Sequence, residues 1–206
     1  MLSIIIIIPL CAAGIILLLK EKRNMEIIGV IAQLSALIIS VKLIMDVFGG
    51  AVIFSSGKWL MADALSAYLA VLVNFVSLIA IFYSIGYLME ELKKGIINLK
   101  QVKQYYVFIQ LFVFAMLLAL FSDNLAMMWV AIEGTTLATA FLINFYNNQK
   151  TLEAALKYLI ICTVGISIAL FGVVLTYYAA LTSGARITDV LAWSSLVPAA
   201  NLLNPR

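Results

Sequence analysis

Glu133 lies near the middle of MMWVAIEGTTLATAFLINFY, residues 127–146, a run with almost no other charge. It is nine residues past Asn124, so a helix would carry it roughly 14 Å from that end. An acidic side chain at a membrane-helix centre costs about 2.5–3.5 kcal/mol on insertion scales. A proton or a nearby cation relieves that cost, so such a group can take up and release protons. Thr136, Ala140 and Asn144 share its side of a helix, which makes a small, polar stripe leading from the carboxylate to the helix end. A hydrogen bond to another helix is the plain structural alternative.

Two further sets of residues could join this chemistry. Lys157 lies a short way into the following apolar run, where it can approach the stripe below Glu133. It can equally pair with Glu153, four residues earlier, or snorkel to the interface. In ADALSAYLAVLVNFVSLIAIFYS, the residues Asp63, Ser66, Asn74, Ser77 and Ser84 fall within about 80° on a helical wheel. That face either lines water or packs on a neighbour. Asp63 stands where a helix begins, and capping alone explains it. Lys42 and Asp46 have the spacing of a mutual pair near a helix end.

These side chains need membrane helices to hold them. The 206 residues are 65% hydrophobic and 11% charged, with a mean hydropathy of +1.14. A soluble domain has about 45–50% apolar and about 25% charged residues. The apolar runs are long and do not alternate, so helices are expected and a barrel is not. Six spans are predicted, near 2–19, 25–48, 63–89, 104–121, 124–145 and 152–180, on the rule of about 20 residues per crossing. The first lacks a basic leader and reads as a retained helix containing Pro9. Spans five and six share a short loop and should be antiparallel neighbours. Gly165, Ala169, Gly172 and Thr176 on span six are expected to serve helix packing, as are Trp59, Trp129 and Trp193 to serve packing or the interface.

Basic residues set the expected orientation. Lys20, Lys22 and Arg23 occupy the first connection, Lys93, Lys94, Lys100 and Lys103 the third, and Lys150 the fifth. The other side carries Lys58, Arg186 and Arg206. The odd connections are predicted to be cytoplasmic and both termini outside, in a cell membrane. The organisation expected is a three-helix segment over 1–103, helices four to six over 104–180, and an external tail over 181–206.

Several functions lack their residues. There is no His, and Cys11 and Cys162 form no CxxC, so haem, iron–sulfur and zinc ligand sets are missing. No cofactor is expected in this chain. A net charge of +3 gives no nucleic-acid footprint. Whether the chain is part of an enzyme therefore depends on other chains.

The segment with Trp129 and Glu133, followed by EAALKYLIICTVGISIALFGVVLTYYA, resembles the antiporter-like subunits of respiratory complex I and its relatives, and in particular the hydrogenase-4 component F type. DALS at 63–66 is similar to the opening of that family's third helix, and AALKY at 154–158 to the start of its sixth. The resemblance implies an all-α bundle that is the N-terminal part of a larger inverted-repeat architecture. It implies proton translocation in which Glu133 works with a lysine on the family's seventh helix, and Lys157 matches the family's sixth-helix lysine. Thr136, Asn144, Asp63, Asn74 and Ser77 would be a polar pathway. Partners would be other membrane and peripheral subunits of a respiratory or hydrogenase complex. Six spans and a tail place the chain ahead of the family's broken seventh helix.

Other readings fit part of the pattern. A structural or assembly protein would need the helices but not Glu133. A component of a multi-subunit cation/proton antiporter would use the same fold. An unrelated six-helix carrier would need a pair of Gly- or Pro-broken spans, which the sequence lacks.

Overall fold

The computed structural model describes residues 1–55, 57, 59–182 and 189–199. Lys58, Arg186 and Arg206, which entered the orientation argument, lie outside the described residues. All six expected spans are helical: α1 (Leu2–Leu18), α2 (Lys22–Val47), α3 (Ala64–Lys93), α4 (Leu99–Phe121), α5 (Leu125–Ile143) and α6 (Gln149–Thr182). The last five are long and apolar enough to cross a membrane, while α1 has 17 residues and continues through Pro9. A short helix, α7 (Trp193–Ala199), follows near the end. A two-stranded antiparallel hairpin joins α2 to α3, with β1 (Ile53–Ser55) on β2 (Leu60–Ala62) and Phe54 opposite Met61.

Helix boundaries follow from local chemistry. Asp63 Oδ1 accepts the Ser66 N–H at 2.8 Å and Ser66 Oγ accepts the Asp63 N–H at 2.9 Å, a reciprocal capping box that opens α3. Asn98 and Gln101 open α4 in the same way, and Asn124 Oδ1 accepts from Ala126 and Met127 to open α5. These side chains satisfy orphan N–H groups that lipid could not. Asn147 takes a positive φ of 51° in the turn between α5 and α6, a conformation asparagine tolerates better than most residues.

Helix α4 is the hub, packing against α1, α2, α3 and α5, while α6 packs on α5. Lipid tails give no hydrophobic drive between helices, so close approach and internal polar bonds must hold them. On α2, Gly29, Ala32, Ala36 and Ser40 are buried at three- and four-residue steps. A Cβ on Gly29 would stand 3.6 Å from the Tyr106 ring. Two cores result. One gathers Leu2, Leu43, Leu60, Val113 and Phe121 near the hairpin; the other gathers Ile16, Met25, Leu88, Val102 and Tyr106 at the opposite end.

Those ends are closed differently. At the lysine-rich end, Lys103 Nζ donates to the Leu17 carbonyl, Gln101 Nε2 to the Phe145 carbonyl, and the Tyr87 and Tyr146 hydroxyls are hydrogen-bonded. The first, third and fifth connections therefore meet there. At the hairpin end, Leu60 bridges to Ser122 and Asn124 to Ala192.

Candidate functional site

Helix α5 carries Glu133 between α4 and α6. On the α4 side, a Cβ built on Gly134 would stand 3.4 Å from the Ala115 Cβ, and the Phe108 and Phe141 rings stack at 4.6 Å. On the α6 side, Trp129 Nε1 donates to the Ile166 carbonyl at 2.8 Å, so Trp129 is a packing residue. The Glu133 side chain sits partly buried between these contacts, and its Oε2 is buried with no hydrogen-bond partner among the described residues. An unmatched carboxylate oxygen away from water is costly.

The stripe beside Glu133 is present and polar. Thr136 is buried and its hydroxyl donates to the Ile132 carbonyl. Ala140 is buried, and at the helix end Asn144 Oδ1 accepts from the Thr151 hydroxyl at 3.0 Å. Sequence reasoning missed one member. The Tyr158 hydroxyl on α6 lies against Thr136, Thr139 and Cys162, placing a phenol on the stripe one helical turn from Glu133.

Lys157 points elsewhere. Its Nζ pairs with Glu153 Oε1 at 2.6 Å, and both side chains are mostly exposed. Adjacent helix residues project about 100° apart, so with Tyr158 turned toward α5 its neighbour faces outward. Lys42 and Asp46, expected to pair, are both exposed and form no ion pair.

The polar face of α3 meets other helices. Asn74 is fully buried and donates to Ser40 Oγ at 2.8 Å and to the Ala70 carbonyl at 2.9 Å. Ser84 donates to the Tyr106 hydroxyl, and Ser77 is buried on the same face. Asp63 is spent on its cap. Gly165 and Gly172, expected to bring helices together, have nothing within 4 Å of an added Cβ among the described residues.

Known proteins resemble this chain in sequence and fold. The family model described as NADH:quinone oxidoreductase/Mrp antiporter, TM, matches residues 122–196, and that described as NADH-Ubiquinone oxidoreductase (complex I), chain 5 N-terminus, matches residues 54–94. Together they take in more than half of the chain. The chain belongs to the antiporter-like membrane-subunit family of complex I, hydrogenase-4 and Mrp complexes. A hydrogenase-4 component F homolog of Methylacidiphilum infernorum (isolate V4) is 34% identical over 68% of this chain and 29% of its own length. An F(420)H(2) dehydrogenase component, the N subunit of the Methanosarcina mazei enzyme, is 28% identical over 84% of this chain and 36% of its own. Among solved structures, a chain of the archaeal membrane-bound sulfane sulfur reductase superposes with a TM-score of 0.79 at 19% identity, covering 99% of this chain and 41% of that one. That last likeness establishes the fold. This chain thus spans less than half the length of these relatives. The family match from 122 onward contains Glu133, the stripe and Lys157.

Proposed function

We propose that this antiporter-like chain belongs to the membrane part of a proton-translocating oxidoreductase of the hydrogenase or NADH dehydrogenase type, and that Glu133 is its intramembrane proton carrier. The observation that carries this reading is the Glu133 Oε2, buried in α5 without a hydrogen-bond partner among the described residues. An ionisable side chain held inside a membrane helix is a functional group by default.

The groups around it support a direction for transfer. Thr136, Tyr158, Thr139, Asn144 and Thr151 are hydroxyls and an amide in series from Glu133 to the α5–α6 turn, each able to hold water or pass a hydrogen bond. That turn lies at the lysine-rich end, which the positive-inside tendency assigns to the cytoplasm. Lys157, held by Glu153, is the second proton-carrying group; leaving that pair would free it to move toward the interface. Asp63 caps α3, Asn74 bonds to Ser40 and the Ala70 carbonyl, and Ser77 is buried on the same face, so the proposed route runs through α5 and α6. The hydrogenase and NADH dehydrogenase relatives point to other chains as the source of electrons.

The test is Glu133→Gln in the native complex, purified with its partner chains and reconstituted into liposomes. Redox turnover and acidification are followed together. Assembly should be normal and acidification per electron should fall at least about tenfold, in line with loss of a proton-transfer group. Undiminished acidification would overturn the assignment. Co-purification with antiporter components in place of redox components would move the chain to the cation/proton antiporter branch.

A further inference from the structure

At the lysine-rich end, a cavity of about 560 Å³ opens between the first turns of α4 and the last turn of α5. Its lining changes character with depth. Lys100, Gln104 and Asn147 stand at the rim, and Phe108, Phe141 and Leu142 form the inner part. Phe108 is nine residues beyond Leu99, about 14 Å along the axis, or close to half of a hydrocarbon layer about 30 Å thick. The cavity thus runs from the headgroup region to the acyl region.

The rim groups are available. Asn98 and Gln101 are committed to their capping box and Gln101 also to the Phe145 carbonyl. Lys100 is exposed and belongs to none of the ion pairs among the described residues. Below, the stacked Phe108 and Phe141 rings, 7° from parallel, make a flat apolar wall, with Phe141 more than half exposed. The cavity is not a water route to Glu133. Its lining includes Asn144, at the outer end of the stripe, but on α5 goes no deeper than Phe141, eight residues short of the carboxylate, or about 12 Å along the helix.

The geometry points to a binding site for one anionic glycerophospholipid. Its phosphate ester sits at Lys100 with the Gln104 and Asn147 amides as donors, and one acyl chain lies along Phe108, Phe141 and Leu142. A cation and neutral amides suit a phosphate charge. The aromatic wall suits a chain, which a free phosphate lacks.

The test uses the native complex, delipidated in a non-ionic detergent and titrated with phosphatidylglycerol, phosphatidylcholine or inorganic phosphate, with bound lipid counted by native mass spectrometry. One phosphatidylglycerol per chain should bind ahead of phosphatidylcholine. Lys100→Ala should weaken it about fivefold, the effect of one lysine at a charged interface, and Lys100→Arg should restore it. Lys93→Ala, in the same connection but off the cavity, should change nothing. Phe141→Asn should weaken phosphatidylglycerol and leave phosphate binding alone. Unchanged lipid binding in both Lys100→Ala and Phe141→Asn would overturn the site. Phosphate displacing the lipid at equal concentration would show an anion pocket only and would also overturn it.

Discussion

Asp123 and Ser194, 71 residues apart, are joined by two hydrogen bonds: the Ser194 N–H reaches Asp123 Oδ1 at 2.9 Å and the Ser194 hydroxyl reaches Oδ2 at 2.6 Å. Asp123 is 1% exposed. Its own N–H donates to the Trp59 carbonyl and its carbonyl accepts from Trp193. One residue therefore ties the hairpin, the α4–α5 corner and α7 together, just before the helix that carries Glu133. Hydrogen bonds to a charged group contribute about 1.5–3 kcal/mol. Ser194→Ala should lower the unfolding free energy by about that range in detergent, and Asp123→Ala should cost more because three segments lose their anchor. A Ser194→Ala midpoint equal to wild type would show that the hydroxyl bond adds nothing.

The clamp is hidden in the sequence, and the reason is distance. Helix spans are local: hydropathy over about 20 residues decides them, so all six are legible. The Asp63 cap is legible for the same reason, since Ser66 is three positions away. Asp123 and Ser194 have no shared periodicity, and only the folded corner brings them together. The hairpin leaves little signal because its strands are three residues each. At the site, Glu133 and its stripe can be read from helical phase. Phase does not say which side of α6 faces α5, and so the sequence points to Lys157 where Tyr158 makes the contact.

Gln33 and Gln110 give a second test of buried polarity. Both are fully buried; Gln33 Nε2 donates to Gln110 Oε1 at 3.0 Å, and Gln110 Nε2 reaches the Gly29 carbonyl at 3.4 Å. Such bonds inside membrane proteins average about 0.6 kcal/mol and reach about 1.7 kcal/mol. Each single change to Leu strands the partner amide, whereas the double change removes both polar groups. The double variant should be more stable than the sum of the single losses predicts, in a double-mutant cycle of unfolding in mixed micelles. Strict additivity would mean that the amides act separately.

Tyr146 makes the lysine-rich end sensitive to alkali. Its phenol is pushed well above the usual tyrosine range, first by the hydrogen bond with Tyr87, then by burial and by nearby Glu91. A raised pKa in the folded protein means a stabilisation that is fully present below the unfolded value of 10.0. It is lost as pH rises from there through the folded value. Wild-type unfolding midpoints should fall more steeply above that pH than those of Tyr146→Phe, which has no phenol to ionise. Parallel curves for the two proteins would remove Tyr146 from the alkaline transition.

Gly134 sets how close the Glu133 helix comes to α4. An added Cβ would stand 3.4 Å from the Ala115 Cβ, at the edge of ordinary contact, so alanine requires a shift of a few tenths of an ångström at most. Valine adds two methyl groups against the same wall, and overpacking of that kind costs about 1–3 kcal/mol. Gly134→Ala should fold with a near-normal midpoint, and Gly134→Val should lose stability in that range. Ala115→Gly opens space opposite and should return part of the loss in the valine variant. If Gly134→Val unfolds like wild type, α5 does not press on α4 at this point, and the tight seam beside Glu133 is looser than the distance implies.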